Sequence, residues 1–312
     1  MRICSLLPCA TEVIALLGLS EELVGISHEC DYPPSVRGVP IMIEPMIPPY
    51  GLASVDIDRQ VSQLVASGQR LYRLKDHLLR QAQPDLILSQ DLCHVCAVTP
   101  DQLHEALCSM PQQPTLLTLN PTTVHEVIAD VIRIGNAANR SAEGHHLATQ
   151  LHDRLKAVRT RVQGISHCPR VACIEWLSPL YVAGHWVPEM VQLAGGQDVL
   201  AQPGNPSHVV TWDEVLAAAP DVLIMMPCGF SVERTQTELF QMMQQPGQWP
   251  LSSELAKRTF LVDASSYFSR PGPRLIDGIE LLAAILHPSA DHDHIHESMA
   301  CRLGPLPIHQ RP

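Results

Sequence analysis

Two cysteines three positions apart, Cys93 and Cys96 in the stretch QDLCHVCAV, follow directly on the apolar run PDLILS. That spacing can hold a metal ion, form a redox couple, or carry no chemistry at all. Redox pairs of the thioredoxin type open a helix in a small polar context. Here His94 and Val95 separate the thiols, and TPDQL opens the next helix only afterwards. Cys30 and Cys228, each just past another β-prone run, enlarge the set. Four thiols, or three with His28, satisfy a tetrahedral zinc ion or a cubane iron–sulfur cluster. The metal reading therefore names Cys30, Cys93, Cys96 and Cys228, with loop cysteines of no consequence as the alternative.

A second set of residues suits an organic ligand. Aromatic residues make up only 4% of the chain, yet Trp176, Tyr181 and Trp186 fall within the eleven residues WLSPLYVAGHW. With Phe268 they offer broad apolar faces for a planar ligand; the alternative is that they are ordinary core rings. Polar partners lie close in sequence. His185 can coordinate cobalt or iron through a neutral imidazole nitrogen, or be a hydrogen-bonded histidine of the interior. Arg270 can hold a carboxylate, amide or phosphate through its planar donor fork. Glu175 can accept ligand amides, pair with Arg270, or bond to backbone. Pro8, Cys9 and His28 complete the candidate ligand set.

These residues share one placement. Pro8 and Cys9 follow the β-prone run RICSLL (2–7), His28 and Cys30 follow LVGIS (23–27), and the cysteine pair follows DLILS (85–89). Further on, Glu175 and Trp176 end RVACIEW (170–176), Cys228 follows DVLIMM (221–226), and Phe268 and Arg270 follow TFLVD (259–263). In open parallel sheets the carboxyl ends of the strands form the ligand crevice. The pattern predicts an α/β protein of two mainly parallel-sheet lobes, with helices between the strands. One helix is expected to start on Thr11 as N-cap and to stop at Gly18, another to cover about 56–67, and a third to open at TPDQLHEAL.

Between Pro121 and Gly164 there is no strand candidate, and apolar residues recur at helical spacing from Leu147 through Val162. The expected division is an N-terminal lobe over 1–140, a connecting helix over 141–166 and a C-terminal lobe over 167–287. Residues 288–312 read as a structureless tail with alternating histidines, DHDHIHE, that would bind metal weakly if at all.

The 312 residues carry a formal net charge of −11, which argues against a nucleic-acid partner. Hydrophobic residues reach 46% without any run of about 18 apolar residues, so no membrane insertion is expected. The opening MRICSLLPCATEV breaks at Pro8 and reads as folded structure rather than as a signal peptide, which predicts a cytoplasmic chain with reduced thiols. No nucleophile elbow, glycine-rich phosphate loop or HExxH is present, so a binding protein is expected rather than an enzyme. A thiol-dependent corrinoid chemistry is the second reading.

The stretch SLLPCATEVIALLGLSEELVGISHECDYPP, with PDLIL and YFSRPGPR, resembles the helical-backbone periplasmic-binding proteins that capture vitamin B12, siderophores or haem for ABC importers. The resemblance covers about 1–287. HECDYP, QDLCHVCAV, EWLSPLYVAGHWVPEM and MPCGF are similar to a group within the cobalamin branch that lacks signal peptides. It implies two lobes on a rigid helix, a shallow cleft, little closure on binding and no catalysis. The implied ligand is cobalamin or a related corrinoid, with haem or a ferric chelate as the alternative. The acidic residues with which the family docks on its permease fall near His77 and Trp186 here, so the resemblance leaves that docking open.

Overall fold

A computed structural model describes residues 1–48, 51–90, 100–108, 110–245, 250–288 and 296–303. They form two compact units: Met1–Pro121 with His125–His152 and Pro271–Pro273, and Thr122–Val124 with Asp153–Arg270 and Arg274 onward.

The first unit is built on a four-stranded sheet of β1 (Ile3–Ser5), β2 (Leu23–Ile26), β5 (Leu86–Ser89) and β6 (Thr115–Thr118), in the order β2-β1-β5-β6 with every pairing parallel. The central strands β1 and β5 are buried at every position, which is why they read as unbroken apolar runs. Helix α1 (Pro8–Leu16) begins three residues before the expected cap. Pro8 lacks the N–H that a first turn leaves unpaired anyway, so Leu7 serves as an extended cap. Thr11 lies inside the helix, where its Oγ1 donates to the Leu7 carbonyl at 3.0 Å. The helix stops where expected: Gly18 takes a φ of +75°, and the Leu19 N–H reaches back to the Ile14 carbonyl at 3.0 Å.

A two-stranded antiparallel ribbon of β3 (Ile43–Pro45) and β4 (Tyr72–Leu74) flanks α2 (Ser54–Ala66), and α3 (Asp76–Ala82) follows. Strands of three residues give too little alternation to register in a sequence, and the ribbon was not anticipated. Helix α4 (Pro100–Cys108) leads into β6.

Helices α5 (Val124–Ala137) and α6 (Ser141–Val162) fill the predicted strand-free region. At 22 residues α6 extends about 33 Å. The two helices touch through glycines: a methyl on Gly135 would meet Gly144 Cα at 2.9 Å. The division between the units falls inside α6, after His152.

The second unit carries a seven-stranded mixed sheet. Its centre is parallel, with β7 (Arg170–Leu177) beside β11 (Val222–Met225) and β11 beside β12 (Thr259–Val262). Around that centre, β8 (Leu180–Val182) returns antiparallel along β7, and β10 (His208–Val209) runs antiparallel to β8. The short β9 (Gln197–Asp198) pairs parallel with the start of β7. Within the segment expected as a tail, β13 (Ala300–Arg302) pairs antiparallel with β12.

Helices α7 (Val187–Leu193), α8 (Trp212–Ala217), α9 (Val232–Met243), α10 (Ser253–Ala256), α11 (Ala264–Tyr267) and α12 (Leu275–Leu286) complete the unit. Four have capping side chains: Thr211 in a full capping box with Glu214, Ser231, Ser252 and Asp263. Helix α12 is apolar nearly all round and buries nine residues from Leu275 to Leu286. Each buried Leu or Ile there contributes about 1.5–3 kcal/mol relative to exposure. Two arginine contacts tie α6 to α12: Arg154 donates to Asp277 Oδ1 and to Glu280 Oε2, both at 2.6 Å.

Candidate functional site

In the first unit the strands' carboxyl edge collects several of the predicted residues, but mostly as structure. Cys9 is buried, and burial pushes its thiol far above the ordinary cysteine range. It lines a small cavity of about 10 Å³ with Leu7, Asp130 and Gly272, room for about one water. A methyl on Gly272 would meet Cys9 Cβ at 3.0 Å, so the thiol is packed away rather than presented. Cys30 is likewise buried, with its Sγ 3.1 Å from Thr11 Oγ1. Thr11 Oγ1 in turn lies 2.8 Å from Ser5 Oγ.

His28 turns out at the end of β2 and is only 14% exposed. Burial and, against the pull of Glu29, the nearby Lys75 ammonium hold its pKa below the usual histidine value. Its ring lies 5.5 Å from that of Tyr72, and its buried Nδ1 has no hydrogen-bond partner among the described residues. Pro8 is half-buried as the first residue of α1. Cys93 and Cys96 lie outside the described residues. Among the described residues no three His, Cys, Asp or Glu side chains gather as metal ligands, and Cys228 stands exposed in the other unit. Cys30 itself belongs to a buried hydrogen-bonded cluster with Thr11.

In the second unit the corresponding edge is more open. Glu175 and Trp176 are half-buried at the end of β7. Trp176 pairs across the hairpin with Tyr181, which pairs in turn with Val209, so three side chains form one row across three strands. Direct cross-strand partners lie close enough for their side chains to make one surface. Tyr181 is half-buried and Val209 is 54% exposed. The row is braced from beneath: buried Phe230 meets Trp176 edge-on with 5.6 Å between ring centroids, and the Arg234 guanidinium sits 3.7 Å over the Phe230 ring.

The loop after β11 closes on this edge. The Cys228 N–H donates to the Glu175 carbonyl at 2.9 Å, and the Gly229 N–H donates to Ser269 Oγ at 3.2 Å. Glu175, Cys228 and Ser269 thus share one rim, with half-buried Arg270 next along the chain from Ser269.

His185 holds a left-handed backbone, φ +53°, fixed by its N–H on the Asn205 carbonyl and its own carbonyl on the Gly204 N–H. Burial lowers its pKa, which keeps the imidazole neutral and fit to donate a lone pair near neutral pH.

Two predicted contact residues are corrected. Trp186 is 7% exposed and donates its indole N–H to the Phe268 carbonyl at 2.7 Å, while Phe268 is 2% exposed. Both rings are core, and their bond fixes the loop that carries Ser269 and Arg270. Phe230 and Arg234 were missed. MPCGF drew attention through its cysteine, although one of only four phenylalanines in the chain stood two residues further on.

Comparison with known proteins gives the family. The periplasmic binding protein family model matches residues 3–248. A vitamin B12-binding protein of Vibrio cholerae is 22% identical over 299 residues, covering 91% of this chain and 88% of that protein. An uncharacterized ABC transporter substrate-binding lipoprotein, YvrC of Bacillus subtilis, is 23% identical over 294 residues, covering 92% and 80%. Among solved structures, the periplasmic heme-binding protein RhuT of Roseiflexus in apo form superposes with a TM-score of 0.66 at 20% identity, covering 92% and 97%. The periplasmic vitamin B12 binding protein BtuF of Vibrio cholerae gives 0.62 at 21%, covering 91% and 96%. The fold is the two-lobed α/β fold of these proteins.

The expected cytoplasmic location is overturned by the same finding, since the relatives are periplasmic proteins or a lipoprotein. The inference of reduced thiols from a reducing compartment goes with it. No helix among the described residues is long and apolar enough to cross a membrane. The match over most of the chain makes this protein a member of the periplasmic binding protein family.

Proposed function

We propose that the protein binds a metal-centred planar cofactor non-covalently, cobalamin or a related corrinoid first, as the solute-binding component of an ABC importer. The observation that carries this reading is the half-exposed row of Trp176, Tyr181 and Val209 in a chain so poor in aromatic rings. A corrin or porphyrin edge needs wide apolar surface with a few polar contacts, and this rim offers both. Trp176 and Tyr181 supply the surface. Glu175 and Arg270 meet amide or carboxylate arms, and the neutral imidazole of His185 is a lone-pair donor for a metal centre. The vitamin B12-binding and heme-binding relatives support the ligand class. The cobalamin branch ranks ahead of haem because vitamin B12-binding proteins recur among the sequence relatives.

The test is a titration of the purified protein with hydroxocobalamin, followed by its visible spectrum. Saturation near one per chain is expected, with a shifted cobalt band that His185→Gln removes. Absence of binding at tens of micromolar, together with saturable binding of hemin, would reassign the ligand to a porphyrin. Failure of both would overturn the proposed ligand class.

A further inference from the structure

On the outer face of α4 the exposed side chains of His104 and Cys108 stand one turn apart, with Cys108 Sγ 3.6 Å from His104 Nε2. Residues at i and i+4 share a helix face, the spacing at which helices present paired ligands to zinc. The distance itself is informative. Zinc sits about 2.3 Å from a thiolate sulfur and about 2.0–2.1 Å from an imidazole nitrogen, at tetrahedral angles. Trigonometry then puts a sulfur and a nitrogen bound to one ion about 3.6 Å apart. The pair is held by a hydrogen bond between Sγ and Nε2, and its two atoms thereby stand at the separation that one ion requires.

The inner face of α4 holds that geometry. Leu103, Ala106 and Leu107 are buried in the core of the first unit, and Gln102 Nε2 donates to the Tyr72 carbonyl at 3.1 Å. Cys108 is the last residue of the helix, where unpaired carbonyls give the end a partial negative charge that favours a cation.

We infer that His104 and Cys108 form a two-ligand site for a soft divalent transition-metal ion, zinc by preference. Binding replaces the thiol proton with the metal: the S–H bond breaks, the proton goes to solvent, and a metal–thiolate bond forms beside the imidazole nitrogen. Among the described residues no third ligand joins the pair, which leaves the remaining coordination positions to water or an incoming ligand. It uses none of the residues assigned to cofactor binding and stands or falls separately from that reading.

Cobalt(II) chloride, a visible stand-in for zinc, tests it on the full-length, fully reduced chain. The thiolate-to-cobalt charge-transfer band is followed in wild type, C108S, H104Q and, as a control at another exposed thiol, C168S. Melting in the presence of EDTA confirms that each variant folds. C108S is expected to lose one thiolate's share of the band. H104Q should weaken that share by about tenfold or more, at least the loss seen when a supporting group of a metal ligand is removed. C168S should leave the Cys108-dependent share unchanged. Wild-type titration curves in both C108S and H104Q would overturn the site. Loss in C108S with unchanged affinity in H104Q would also overturn it, because the thiol would then act without its partner.

Discussion

At the scale of single residues, burial decides which groups are available for chemistry and which serve the fold. Cys9 and Cys30 sit at the sheet edge where sequence placement put them, yet both thiols are packed away. Position along a strand is legible in a sequence, because runs of apolar residues end visibly. Whether a side chain at that end faces solvent or a neighbour depends on contacts distant in the chain, such as Gly272 on Cys9, and no local pattern carries it. Asp198 is a buried group of another kind. Its Oδ1 accepts the Leu200 and Ala201 N–H groups at 2.9 Å, while Oδ2 has no partner among the described residues. Burial pushes its pKa up to about 6, against the lowering effect of those two bonds. A carboxyl raised in the folded state ionises first in the unfolded chain. Stability from this group is therefore full at about pH 3, below the ordinary carboxylate value, is lost as pH rises to about 6, and stays lost above. Asp198→Asn keeps the acceptor and removes the charge. It should match wild type near pH 3 and exceed it by roughly 2–3 kcal/mol at pH 7. Urea unfolding at both pH values reads this directly, and a difference that does not change with pH would refute the origin assigned to it.

At the scale of elements, long periodic segments could be read and short ones could not. The helices α5, α6 and α12 and the buried strands of both sheets follow from apolar spacing, and Gly18 ends α1 as its type implies. Thr11 was misplaced as a cap because Thr is equally suited to bonding back one helical turn, as it does here. Strands β8 and β10, on which the ligand row rests, span three and two residues and left no usable alternation. Close approaches of helices were hidden for a different reason: they rest on the lack of a side chain. Gly278 of α12 lies under the loop that carries Phe268 to Arg270, and a methyl there would meet the Tyr267 carbonyl oxygen at 2.5 Å and Met190 Cε at 2.9 Å. Alanine in a helix interior normally stabilises by about 1 kcal/mol over glycine. Gly278→Ala should instead destabilise by about 2 kcal/mol, because the blocking atom belongs to backbone. It should also weaken ligand binding by displacing Arg270. A gain in the urea midpoint would show that the loop is free to move.

At the scale of the whole molecule, the family and its two-lobed architecture were carried by motifs spread along the chain, and the family match over residues 3–248 agrees with them. The location was misjudged, because the opening segment folds as β1 and α1 and says nothing about where the protein resides. Ligand class is inferred from surface chemistry: a protein of net charge −11 presents an apolar row with adjacent polar groups, suited to a large planar cofactor more than to a small ion. Two tryptophans of the same eleven-residue stretch separate that reading from a purely structural one. Trp176 faces the rim and Trp186 is bonded into the core. Hydroxocobalamin affinity should therefore be measured for Trp176→Ala and Trp186→Phe side by side. Trp176→Ala is expected to keep its melting temperature near wild type and lose about tenfold or more in affinity, equivalent to at least about 1.4 kcal/mol. Trp186→Phe is expected to lose about 1 kcal/mol of stability with its deleted hydrogen bond and, acting only through the Arg270 loop, to lose less affinity than Trp176→Ala. Undiminished binding by Trp176→Ala, with the loss falling on Trp186→Phe instead, would contradict the placement of the ligand on the Trp176–Tyr181 edge.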